Sequence, residues 1–121
     1  PPMVPLRQGI LNFIRFGIEN PAHYAATFLM EANIHKDANT VTRKESIGRQ
    51  CFDGLIRGVA RAADAGLLID KPVEELAQAI FAASHGVVAM LIGQRIPFLY
   101  RDKLVENSVD MILRGISRHP D

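Results

Sequence analysis

Apolar residues along this chain recur at steps of three and four in five separate segments, and nowhere alternate with period two over a useful length. That spacing places apolar side chains on one face of a helix, so the expected fold class is all-α. The first segment runs from about Pro5 to Glu19, with Leu6, Ile10, Phe13, Ile14 and Ile18 on one face. Asn20-Pro21 ends it, since the residue before a proline is pushed out of the helical region. Asn20 is then placed to cap a second helix, about Pro21 to Lys36, with Pro21 in its first position. Thr42-x-x-Glu45 has the spacing of a capping box and opens a long third helix. There Ile47, Cys51, Leu55, Val59 and Ala62 form one stripe, Phe52 and Ile56 its neighbour, and Gly66 the end signal. A fourth helix starts after Asp70 to Pro72, with Glu74 and Glu75 where the dipole favours acid, and runs to about Gln94. A fifth spans about Arg101 to Ser117.

With 121 residues the chain is one domain, long enough to bury roughly two-thirds of its unfolded surface. Cys51 is its single cysteine, which leaves no internal disulfide and no cysteine-based zinc site, and a reducing cytoplasm fits best. Fourteen Lys and Arg against thirteen Asp and Glu give +1, too little to draw in nucleic acid or an anionic membrane. The apolar stretches are interrupted by His85, Gly86 and Gln94 before reaching the ~20 residues of a membrane span, so no membrane contact is expected. No signal peptide opens the chain. Its start, Pro1-Pro2-Met3, reads as that of a fragment or processed product.

The last two helices are apolar on more than one side. In the fourth, Val73, Leu76, Ile80, Val87 and Leu91 mark one stripe and Phe81, Val88 and Ile92 another. In the fifth, Val105, Val109, Ile112 and Ile116 lie on one side and Leu104 and Met111 on another. A surface helix needs only one stripe. Two stripes fit the central helices of a small bundle, or helices that pack on their own domain and on a second copy. The second alternative predicts a two-fold dimer, a four-helix bundle joined through Val87, Leu91, Val105, Val109, Ile112 and Ile116.

Ala82-Ala83-Ser84-His85-Gly86 surrounds one histidine with small residues. Gly86 inside a helix costs about 1 kcal/mol relative to Ala, which suggests that another backbone approaches there. His85 is a hydrogen-bonding pocket residue, a metal ligand or a satisfied interior histidine. Phe13, Phe16, Tyr24, Phe28, Phe52 and Phe81 converge on an interior volume that is either a ligand pocket, with Tyr24 and His85 orienting the ligand, or simply the core. Catalysis is not expected. The sequence has no glycine-rich phosphate loop, no His-Glu-x-x-His and no Gly-x-Ser-x-Gly elbow, and its four histidines are scattered. No helix-turn-helix pattern or basic stripe appears.

Two blocks, Arg15-Phe16-Gly17-Ile18-Glu19-Asn20-Pro21-Ala22-His23-Tyr24 and Ala82-Ala83-Ser84-His85-Gly86-Val87-Val88-Ala89-Met90-Leu91, resemble the C-terminal ligand-binding domain of tetracycline-repressor (TetR) family regulators. The likeness is to members with a Trp-His-Gly motif on the penultimate helix, and Ser84 stands where that motif has Trp. Glu75-Leu76-Ala77, Gln94-Arg95-Ile96 and the final amphipathic helix also agree. The resemblance implies a five-helix effector-binding and dimerising half over residues 1–121, its last two helices forming the four-helix-bundle dimer interface. It implies a homodimer that reaches operator DNA through an N-terminal helix-turn-helix domain absent from this chain, not through this segment. It also implies a small, mostly apolar effector, with Phe13, Phe16, Tyr24, Phe28, Phe52, Ile56, Phe81 and His85 as pocket residues, no cofactor or metal, and repression relieved by the ligand. The competing expectation is a stand-alone helical small-molecule or haem-binding protein with His85 as axial ligand.

Overall fold

Side-chain periodicity becomes five helices in the computed structural model, which describes residues 3–26, 43–93 and 100–118, with backbone only over 43–49. They are α1 (Met3–Glu19), α2 (Pro21–Tyr24), α3 (Arg43–Asp64), α4 (Val73–Gly93) and α5 (Arg101–Ile116). Most of the second expected helix, the Thr42 capping box and Gln94 lie outside the described residues. Helix α1 packs against both α3 and α4, α3 packs on α4, and α5 covers α4 and touches α1. The core gathers Leu6, Ile10 and Ile14 of α1, Val59 and Ala62 of α3, and Ile80, Val88 and Leu91 of α4, closed by Tyr24 and Val109.

The helix ends follow local chemistry. Gly66 takes φ +75°, the left-handed conformation that favours glycine. Its N–H bonds the Ala63 carbonyl and that of Leu67 the Ala62 carbonyl, so α3 ends in a Schellman motif. Pro21 opens α2 as expected, but Asn20 does not cap it with its side chain. Its Nδ2 instead donates to the Phe16 carbonyl at 3.0 Å, serving the end of α1. Arg101 Nη1 reaches back to the Leu91 carbonyl at 3.1 Å, a cation at the carbonyl end of α4. No strand forms among the described residues, but an isolated antiparallel bridge joins Leu68 to Ser117. Ile69 N–H donates to Ile116 and Arg118 N–H to Leu67, tying the α3–α4 connection to the end of α5.

Two expectations are corrected here. By length and composition alone, α4 is apolar enough to cross a membrane, contrary to the reading that His85 and Gly86 interrupt it. Ala, Val, Ile and Leu outweigh those two residues, and the same composition serves a helix flanked by α1, α3 and α5. Second, no backbone of the described residues approaches Gly86: a Cβ there would meet none of their atoms within 4 Å. The close approach is at Gly17, where a Cβ would collide with Val88 Cγ1 and stand 3.1 Å from Tyr24 Cδ2. Gly17 therefore sets how near α1 lies to α4.

Candidate functional site

Eight residues along α1 from Gly17, the packing opens. Gly9 has no neighbour within 4 Å of where its Cβ would be, and Gly54 on α3 likewise contributes no side chain. Between them lies a cavity of about 270 Å³, lined on α1 by Ile10, Asn12 and Phe13, on α3 by Gln50, Cys51 and Leu55, and on α4 by Phe81 and Ser84. Asn12 and Gln50 are exposed and mark its mouth, whereas Ile10 and Ser84 are buried and mark its floor. The volume falls just below the roughly 300–1,000 Å³ of drug-sized ligand sites. Among the described residues the lining has an apolar body with a few neutral polar groups and no acidic or basic side chain.

Ser84 is the polar residue on the floor, 2% exposed, and its Oγ has no hydrogen-bond partner among the described residues. A helical serine can bond the carbonyl four residues back, and this one does not. Leaving a buried hydroxyl unmet costs about 1–3 kcal/mol. Cys51 is half-buried and free, and burial pushes its thiol above the usual range, so it stays the neutral thiol.

Behind the cavity wall stands a ring network. Phe81 meets Phe13 and Phe52, both at 5.4 Å between centroids, and Phe13 meets Tyr24 edge-on at 5.8 Å. His85 stacks on Tyr24 at 5.6 Å and on Phe81 at 6.1 Å. The Tyr24 hydroxyl lies 2.6 Å from His85 Nδ1. The phenol is the more acidic donor, so it donates to Nδ1 of a neutral ring whose proton is on Nε2. Burial raises the Tyr24 pKa and lowers that of His85, and both shifts favour this neutral pair.

Of the residues expected to bind ligand, Phe13 and Phe81 line the cavity. Tyr24, Phe52 and His85 support those two rings from outside the lining. Ile56 packs on the core, and Phe16 lies against His23 at 6.0 Å. Phe28 lies outside the described residues. Sequence reasoning missed Gly9, Asn12, Gln50, Gly54 and Ser84, and read Ile10, Cys51 and Leu55 only as apolar stripe positions; the signal was a glycine on each of α1 and α3, with a serine inside an apolar helix. His85 does not line the cavity, and with Tyr24 donating to Nδ1 its proton is on Nε2, the nitrogen that an axial haem ligand would offer to iron. Among the described residues no group of three or more His, Cys, Asp or Glu could hold a metal ion.

The residues expected at the dimer interface divide differently. Val87, Leu91, Val109 and Ile116 are buried in the chain's own core, whereas Val105 and Ile112 are half-buried. The side of α4 facing away from the core carries Ala79, Ala82, Ala83, Gly86, Met90 and Gly93 at helical spacing. On α5 the matching side presents Leu104, Ser108, Met111 and Gly115, with Met111 73% exposed. Four of the six expected interface residues are thus already covered within the protomer.

Residues 6–114 match the family model described as "Tetracyclin repressor-like, C-terminal domain". No curated protein and no solved structure matches the chain. The match does not specify a Trp-His-Gly type of motif. With nearly its whole length matched and an all-α bundle to carry it, the chain belongs to the tetracycline-repressor-like C-terminal domain family.

Proposed function

We propose that this domain is the effector-sensing and dimerising half of a TetR-family transcriptional regulator, acting in the cytoplasm as a repressor relieved by a small, mostly apolar molecule. The observation that carries the reading is the cavity of about 270 Å³ enclosed by α1, α3 and α4 in a chain of this family. The role is binding rather than catalysis, with no resident cofactor. DNA contact belongs to a separate N-terminal helix-turn-helix module. The effector shifts the domain between two arrangements that space the paired DNA-reading heads differently, one of them matched to successive turns of the duplex. Only a few kcal/mol of differential affinity are needed to move the population from one to the other.

Cys51 gives this reading a direct test, because the chain's single cysteine is in the cavity wall. Uncharged aromatic molecules of one or two rings should raise the melting temperature with concentration, following the logarithmic law of ligand linkage. The same molecules should slow alkylation of Cys51 by N-ethylmaleimide. A set of such compounds that produces neither effect would sink the effector-binding proposal.

Homodimerisation is proposed through the outward sides of α4 and α5, where no charged side chain interrupts the run from Ala79 to Gly93 on that side. Small residues let a partner helix come close, and Met90 and Met111 supply adaptable apolar contact. Gly86→Glu together with Met111→Glu is expected to yield folded monomers by light scattering. An acidic residue at Val109, fully buried in the protomer, would test the fold rather than the interface. A double variant with the mass of a dimer would rule this surface out.

A further inference from the structure

The cavity floor specifies more about its occupant than apolarity, and the following inference rests on the effector-binding proposal above. Ser84 is walled in by the core, forms part of the lining, and has a hydroxyl that meets no partner among the described residues. Among the described residues the wall around it is mostly hydrocarbon and aromatic ring, Ile10 and Phe13 from α1, Leu55 from α3 and Phe81 from α4, with the neutral thiol of Cys51 as a weak polar group beside them. Amides occur only at the mouth, and there Asn12 already accepts a hydrogen bond from Gln8 Nε2 at 2.8 Å. Oγ presents almost no accessible surface where it stands, so meeting a polar atom in the cavity requires a turn about χ1 to another staggered position. Among the described residues a charged group has nothing to pair with on this floor, and an ion left unpaired in an apolar enclosure is excluded by its desolvation cost. Arg57 lies beside Gly54, but its side chain is exposed and outside the lining.

We propose that Ser84 is the specificity-determining residue of the cavity, and that it selects an uncharged one- or two-ring effector whose single hydrogen-bonding oxygen reaches the buried end while the hydrocarbon body lies against Phe13, Leu55 and Phe81. The oxygen, a ketone, ether or hydroxyl, supplies the partner that the fold leaves out. The entry is between Asn12 and Gln50, whose amides tolerate water, so the apolar end of the molecule is the trailing one.

Three probes of similar shape test this: 1-tetralone, which has a carbonyl oxygen; tetralin, which lacks it; and 1-naphthoate, which carries a charge. Their affinities for the chain and for Ser84→Ala are read by calorimetry, with protection of Cys51 as evidence that the site is the cavity. Because the ketone is better hydrated than the hydrocarbon, the informative quantity is the tetralone-to-tetralin ratio in each protein, a two-by-two cycle. Loss of the hydroxyl is expected to weaken tetralone roughly three- to tenfold, as for one net hydrogen bond, and to leave tetralin within about twofold. Naphthoate is expected to give no protection. An unchanged ratio in Ser84→Ala, or naphthoate binding as tightly as tetralone, overturns the assignment of Ser84 while leaving the cavity as a binding site. Failure of all three to protect Cys51 in the unmutated chain overturns both this inference and the effector-binding proposal beneath it.

Discussion

Helix α1 meets the rest of the bundle in two ways, eight residues apart. At Gly17 the missing side chain is filled by Val88, and the helices touch. At Gly9 the missing side chain is filled by nothing, and with Gly54 opposite, the space becomes the cavity. The same residue type thus does opposite things, and what differs is the neighbour. A glycine facing a β-branched residue on a crossing helix draws the helices together. A glycine facing another glycine at the open end leaves room. The first contact fixes the helix spacing that lets the second region stay empty.

The largest expected effect comes from breaking the tight end. Gly17→Ala places a methyl group on Val88 Cγ1, and Val88 is fully buried and stiff at χ1, so it has little room to yield. Overpacking of this kind costs typically 1–3 kcal/mol, against which Ala returns at most about 1 kcal/mol of helix propensity. A net loss of stability in urea unfolding is expected, and a variant as stable as the parent would show that α1 and α4 are not clamped there.

Tyr24→Phe comes next. It removes the donor to His85 Nδ1 while leaving the ring contacts with Phe13 in place, and is expected to cost about 1 kcal/mol. Equal stability of the parent and Tyr24→Phe in urea unfolding would show that the hydroxyl is not bonded to that ring in solution.

The open end should respond in the other direction. Gly9→Ala meets nothing within 4 Å and gains up to about 1 kcal/mol of helix propensity, so the melting temperature should rise. Gly9→Leu should fill the cavity and abolish the protection of Cys51 by bound ligand. Stabilisation by Ala without loss of binding by Leu would move the cavity away from this part of α1.

The smallest effect concerns pH. Burial lowers the His85 pKa, so between its folded value and 6.5 the unfolded chain holds more protons than the folded one. Stability associated with this group is therefore present above about pH 6.5 and is lost as the pH falls through the folded pKa. The difference between the parent and His85→Gln, measured as unfolding midpoints from pH 7.5 to 5, should change below 6.5 and remain flat above it. A flat difference throughout would show that the ring is not held neutral by the fold.

Much of the architecture was legible because its causes are local. Asn20-Pro21 divides α1 from α2, Gly66 ends α3 through the left-handed turn that glycine adopts readily, and Glu74 and Glu75 begin α4. The convergence of Phe13, Tyr24, Phe52, Phe81 and His85 was also anticipated, since rings on adjoining helix faces in a small bundle have one interior to share. A pocket among these rings was one of two expectations, and Phe13 and Phe81 do line a cavity; its position was not legible, because a void is made by side chains that are missing, and Gly9 and Gly54 lie 45 residues apart in the chain.

The sequence by itself determined where helices begin and end and which helix is richest in apolar residues, because turn geometry, capping and 3.6-residue periodicity act within a few residues of one another. Only the tertiary structure decided which side of α4 turns inward. With Val, Ile and Leu on one side and Ala, Gly and Met on the other, periodicity permits either face to be buried. The larger side chains won the interior because burying them removes more apolar area from water, and the smaller ones were left outside. The same choice set Ser84 on the cavity floor and placed His85 against Tyr24, two neighbours in sequence given different surroundings by one helix rotation.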